Sequence, residues 1–154
     1  MKDLSILDSL ITGRVEPHIY AFTTNTIPNY LKVGDTYRPV SKRLREWREY
    51  FPNLEQKFEG SAKITDDVYF RDFAVHYFLE SEKRRVRLKA SDLSEGGYYS
   101  KEFFREATVD DVEEAITDIH EDYNSKSGKY HYYDSKTQLP TTEKYASTGM
   151  WFPR

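Results

Sequence analysis

The 154-residue sequence predicts an α+β domain, a small and mostly antiparallel three-stranded sheet flanked by helices. Two observations carry that expectation. His18-Ile19-Tyr20-Ala21-Phe22 and Tyr30-Leu31-Lys32-Val33 are short apolar runs, and the polar segment between them holds Asn25, Pro28 and Asn29, the residue types that turn a β-hairpin. Elsewhere apolar residues recur at helical spacing: Val40, Leu44, Trp47 and Tyr50, then Val109, Val112, Ala115, Ile116 and Ile119.

In chain order, residues 1–16 carry Leu4, Ile6, Leu7, Leu10 and Ile11, which suit a short helical extension stopped by Thr12-Gly13. The body is expected over residues 17–123, with strand one over roughly 17–23 and strand two over roughly 31–34. Gly34 and Pro39-Val40 hand the chain into a helix that ends at Pro52. Leu54 to Ile64 alternates weakly and reads as the third strand. Thr65-Asp66-Asp67 suits an N-cap, so the next helix is expected from Val68. Val68, Asp72, Val75 and Leu79 share one of its stripes; Phe73, His76, Tyr77 and Glu80 share the neighbouring one. The basic run Lys83 to Lys89 follows that helix, where cations complement its dipole. Gly96-Gly97 marks a turn, and Tyr98 to Arg105 reads as a short strand or extended segment. Thr108 caps the last helix, with Asp110 and Asp111 in its first turn. After Tyr123 the period is lost. Residues 124–154 read as an irregular, aromatic-rich tail that docks by its rings, or as a linker to a further domain.

Composition removes several functional classes. There are no cysteines, so a disulfide framework, a thiolate zinc site and a cysteine nucleophile are excluded. The N-terminus lacks the apolar core of a signal peptide, and no run approaches a membrane span; a cytoplasmic protein with no membrane partner is expected. A net charge of -3 argues against holding nucleic acid by bulk charge. Charge is nevertheless uneven. Arg38, Lys42, Arg43, Arg45 and Arg48 share one segment, and such a local basic face can track a phosphate backbone.

Tyr20 on strand one, Lys32 on strand two and Arg43 on the following helix offer a phenol, an ammonium and a guanidinium. Those three groups could converge on a phosphate. The pattern resembles the GIY-YIG nuclease family. Its first signature stands as His18-Ile19-Tyr20, its second as Leu31-Lys32-Val33-Gly34, and its helical arginine as Arg43 in Lys42-Arg43-Leu44. The phage-type branch is nearest in pattern, because its second motif reads Lys-Ile-Gly followed by Thr and Arg; here the segment is Lys32-Val33-Gly34-Asp35-Thr36-Tyr37-Arg38. That branch also has an acidic residue four before a histidine, matched by Asp72 and His76, and a later acidic-aromatic-Phe triplet, matched by Glu102-Phe103-Phe104.

The resemblance implies a GIY-YIG-like fold and cleavage of DNA phosphodiester bonds with one divalent ion, Mg²⁺ or Mn²⁺. It gives Tyr20 the part of general base, Lys32 the place of the second tyrosine, Arg43 the phosphate clamp, His76 a catalytic place and Asp72 the metal. Arg38, Lys42 and Arg45 are the candidate nucleic-acid contacts. A helicase or restriction module as partner in a larger protein is a further implication. Residue chemistry agrees: a hard divalent ion takes carboxylate and phosphate oxygens, and Arg presents a planar fork to phosphate. Two positions depart from the family. His18 stands for Gly, and Asp72 stands for Glu, one methylene shorter, which makes Glu80 and Glu102 secondary candidates. The rival expectations are a nucleic-acid-binding module of lapsed catalysis, and a protein-interaction domain using Tyr130, Tyr132, Tyr133 and Trp151.

Overall fold

The computed structural model describes residues 13–89 and 100–141. Strands β1 (His18–Thr23) and β2 (Tyr30–Thr36) pair antiparallel, with Tyr20 opposite Gly34 and Phe22 opposite Lys32. Helix α1 (Val40–Trp47) follows, then β3 (Glu55–Ser61), β4 (Lys63–Thr65), β5 (Val68–Tyr69), α2 (Asp72–Ser81), β6 (Phe103–Arg105), α3 (Val109–Ser125) and β7 (Tyr133–Asp134). They form a four-stranded sheet in the order β3-β1-β2-β6 and a three-stranded sheet in the order β4-β5-β7. The α+β class holds, with antiparallel pairing throughout. No helix among the described residues is long and apolar enough to cross a membrane.

Three expectations change. The single three-stranded sheet becomes two sheets, because the predicted third strand breaks at buried Ala62: β3 stays beside β1, while β4 turns away to pair β5. The fourth strand is β6, which seats Phe103 opposite Lys32 and Phe104 opposite Leu31. Thr65-Asp66-Asp67 is a hairpin turn rather than a helix cap. Thr65 Oγ1 accepts the Asp67 N–H at 3.2 Å, and α2 begins only at Asp72. Short polar residues that cap helices also make such turns, so the local signal was ambiguous. Of the expected helical extension over residues 1–16, residues 13–16 are not helical and 1–12 lie outside the described residues, as do the Gly96-Gly97 turn and Trp151 with the rest of residues 142–154.

β1 and β2 are buried on both faces, and their alternation assigns each residue to one of two cores. Ile19, Ala21, Leu31 and Val33 pack with Val75, Phe78 and Leu79 of α2 and with Val112, Ala115 and Ile119 of α3. Tyr20 and Phe22 face the other way, into Val40, Leu44 and Trp47 of α1 and into Phe51 and Phe103. α3 begins with the expected capping box: Thr108 accepts from the Asp111 N–H at 3.1 Å, and Asp111 accepts from the Thr108 N–H at 3.0 Å.

Residues 124–141 are ordered by more than their rings. α3 ends at Lys126 in the left-handed region, with φ 59. The buried Asp122 carboxylate then accepts from the Lys129 N–H at 2.9 Å, the Tyr130 N–H at 3.2 Å and the Tyr132 hydroxyl at 2.6 Å. Tyr130, Tyr132 and Tyr133 are buried, and β7 completes the second sheet against β5. Asp122→Ala is expected to cost about 2–3 kcal/mol in urea denaturation, because it leaves three donors without their charged acceptor. A variant as stable as wild type would mean that the rings alone hold this segment.

Candidate active site

The site grows from the α1-facing side of β1 and β2. Tyr20, Lys32 and Gly34 point to that side, and Gly34 lies directly across from Tyr20. Glycine here answers to space, not to backbone conformation. A Cβ at position 34 would sit 2.6 Å from the Tyr20 hydroxyl, 2.8 Å from its ring and 2.7 Å from the Lys32 ammonium. The phenol therefore lies over Gly34 and reaches Lys32, whose Nζ donates to the Tyr20 oxygen at 3.2 Å.

Lys32 is wholly buried in the middle of a strand, so its charge needs partners inside the protein. It has them. Its ammonium donates to Glu102 as well as to Tyr20, and it sits 4.2 Å from the centre of the Trp47 ring. Trp47 donates its indole N–H to Tyr20 at 2.8 Å, and the Arg43 guanidinium, one turn earlier on α1, lies 4.7 Å from the same ring. Arg43 is held above its usual range. Burial opposes its charge, but the Tyr20 phenol and the Glu46 carboxylate together outweigh that. Glu46 accepts from Arg43 at 2.9 Å and from both terminal nitrogens of Arg38 at 2.8 Å, and these bonds pull its carboxyl down to about 2.

Asp72 approaches from a different element. It opens α2, whose apolar residues pack on the opposite face of the sheet. Its backbone N–H donates to Asp35 Oδ2 at 3.0 Å, so a carboxylate from β2 caps α2 in place of a local side chain. Asp35 also clamps Arg71, at 2.6 Å through Nε and 3.3 Å through Nη2. Burial, then the carboxylates of Asp35 and Glu102, hold Asp72 well above the usual carboxylate range; Lys32 and Arg71 oppose that shift. Its Oδ1 is buried and has no hydrogen-bond partner. A divalent cation fits such an oxygen, because it would give the orphan atom a partner and offset the neighbouring negative charge. Among the described residues no group of three or more His, Asp or Glu side chains gathers as ligands, so Asp72 would have to share the ion with water or phosphate oxygens.

No family model, curated protein or solved structure matches this chain. The site therefore rests on its own geometry. The structure brings together Tyr20, Lys32 and Arg43, with Glu102 on Lys32, and sets Asp72 within electrostatic reach of Lys32 and Glu102. Among the described residues Asp72 makes no hydrogen bond to Tyr20 or Arg43. His76 is buried, its Nε2 lies 2.8 Å from the Val33 carbonyl and its ring packs on Phe104 at 5.1 Å. That makes His76 a brace between α2 and β2, and Asp72 at 3.9 Å from the same nitrogen is no ion-pair partner for a neutral ring. Glu80 pairs with Arg87 at 2.8 Å and makes no bond to Tyr20, Lys32 or Arg43 among the described residues. Arg38 is tied to Glu46, while Lys42 and Arg45 are exposed on α1. Three contributors escaped the sequence reading: Trp47, Glu46 and Asp35. For Trp47 a signal existed, since it stands four residues after Arg43 on the same helical stripe.

Burial pushes the His76 imidazole down to about 4. In the unfolded chain it would titrate near ~6.5, so the unfolded state binds the proton first as pH falls. Stability is complete above that value and is lost between it and about 4, by about 3 kcal/mol in all. Denaturation midpoints followed from pH 7 to pH 4 are expected to fall less steeply in His76→Gln than in wild type. Equal slopes would assign the acid limb to other groups.

Proposed function

We propose that this domain is a divalent-metal-dependent endonuclease of GIY-YIG type that hydrolyses DNA phosphodiester bonds, as part of a larger helicase- or restriction-type protein. The observation that supports it most is the gathering of the Tyr20 hydroxyl, the Lys32 ammonium and the Arg43 guanidinium around one indole. In this reading Arg43 and Lys32 exchange their own carboxylates, Glu46 and Glu102, for phosphate oxygens and stabilise the charge that grows at phosphorus. Tyr20, once its own hydroxyl proton has passed to solvent, takes the proton from the attacking water, and Asp72 would hold the ion. A bound Mg²⁺ or Mn²⁺ supplies Lewis-acid stabilisation of the departing oxygen. The helicase or restriction partner rests on the motif resemblance alone.

A second reading draws on the same geometry. Asp72 is shorter than the family's usual Glu and is buried, and the two cations of the site, Arg43 and the wholly buried Lys32, are paired with carboxylates of this chain. A nucleic-acid-binding module without cleavage meets those facts too. Plasmid incubated with the purified chain and Mg²⁺ or Mn²⁺ separates the two. The nuclease reading expects nicking that Tyr20→Phe and Arg43→Ala each reduce by about 100-fold or more. Intact plasmid beside salt-sensitive retention of DNA would decide for the binding module.

A further inference from the structure

Trp47 touches all three groups on which the proposed chemistry depends, and the motifs that carry the resemblance do not include it. Its N–H donates to the Tyr20 oxygen at 2.8 Å, while Lys32 donates to the same oxygen at 3.2 Å. The Tyr20 oxygen thus takes the Trp47 and Lys32 donors and is also bonded by Arg43, which restricts the directions left to its hydroxyl hydrogen. The indole ring also lies 4.2 Å from the Lys32 ammonium and 4.7 Å from the Arg43 guanidinium, so one plate spaces both cations. The plate is itself fixed. Trp47 is buried, packs on Phe51 with ring centres 6.0 Å apart and on Phe22 at 6.0 Å, and closes the last turn of α1.

We infer that Trp47 is a positioning residue. It aims the Tyr20 hydroxyl by its N–H and sets the distance between the two phosphate-facing cations by its ring. This rests on the reading of the site as a phosphodiesterase, and it goes beyond that reading by placing the control of geometry on a side chain that need not touch substrate. A purely packing role would be served by any ring of the same volume. The N–H is what distinguishes the two.

The test replaces Trp47 by 3-benzothienylalanine, which keeps the bicyclic ring and lacks the N–H, with Trp47→Phe as a second variant. Steady-state cleavage of a labelled DNA duplex is measured in the wild-type and Tyr20→Phe backgrounds. The expected result is a fall in kcat of about tenfold with KM within about twofold. That fall should vanish when Tyr20 is already Phe, because the N–H then has no oxygen to aim. An unchanged kcat, or the same loss in both backgrounds, overturns the inference and leaves the nuclease reading in place. Should wild type fail to cleave, the nuclease reading falls and a binding measurement decides on Trp47. The chain has two tryptophans, so Trp151→Phe identifies the Trp47 indole N–H resonance. Movement of that resonance on titration with inorganic phosphate, lost in Arg43→Ala, supports the indole as the plate of a phosphate cradle; a resonance that stays still overturns it.

Discussion

If the proposed nuclease reading holds, Gly34→Ala is expected to cut cleavage by about 100-fold while leaving the sheet paired. The added methyl would stand 2.6 Å from the Tyr20 hydroxyl and 2.8 Å from its ring, closer than carbon atoms pack. Lys32 can swing its flexible end away from a Cβ at 2.7 Å, but the tyrosine ring cannot, because Trp47 and Lys32 hold its oxygen and Phe22 stacks beside it. The ring must move by the better part of an ångström. Displacement on that scale costs about 100-fold in rate, and overpacking costs about 1–3 kcal/mol in stability. Denaturation and nicking of the same preparation measure both. Tyr20→Phe in the Gly34→Ala background should return part of the stability, since the closest contact is with the hydroxyl, and none of the activity. A Gly34→Ala protein that cleaves like wild type would remove Tyr20 from the mechanism.

The second large effect concerns the ion pair between Lys32 and Glu102. The two side chains are unequally placed: Lys32 is 0% exposed and Glu102 is 35% exposed. Removing Glu102 strands an ammonium in the core with the Tyr20 hydroxyl and aromatic rings as its remaining company. Removing Lys32 leaves a carboxylate that water already reaches. Glu102→Ala is therefore expected to cost about 3 kcal/mol, at the low end for a broken buried pair because solvent touches one partner. Lys32→Met should cost visibly less, and Lys32→Met with Glu102→Gln should be more stable than Glu102→Ala alone. All three follow from urea denaturation midpoints. Equal costs for the two single variants would mean that burial does not govern the pair. On the proposed nuclease reading the order in activity differs, since every variant lacking Lys32 loses a cation of the site whatever its stability.

On the proposed reading, the site's carboxylates explain how an acidic protein can keep cations ready for an anion. Glu46 holds Arg38 and Arg43 in a fork, and Glu102 holds Lys32, so each positive group is oriented before a phosphate arrives. The same bonds compete with the phosphate.

Local pattern was enough for the elements that local forces decide. β1 and β2 were legible as apolar runs flanking a polar turn, and the two-residue repeat of a strand sets Tyr20 and Lys32 on one face of the sheet. The stripe Val40, Leu44, Trp47 and the Thr108–Asp111 capping box follow from a helix repeat and from hydrogen bonds spanning three residues. Sequence alone thus determined the α+β class, the hairpin, α1 and α3, and the candidacy of Tyr20, Lys32 and Arg43. Tertiary structure decided what those residues meet. The cap of α2 is Asp35, 37 residues before the N–H it accepts, and the counter-charge of Lys32 is Glu102, 70 residues away. Thr65-Asp66-Asp67 carried a cap-like local signal and became a turn, and the segment around Lys129 to Tyr132 carried no period yet is held by Asp122. Periodicity records which face of an element is apolar. It holds no record of which distant charge or ring will close against a buried polar group, and here those long-range partners make the site.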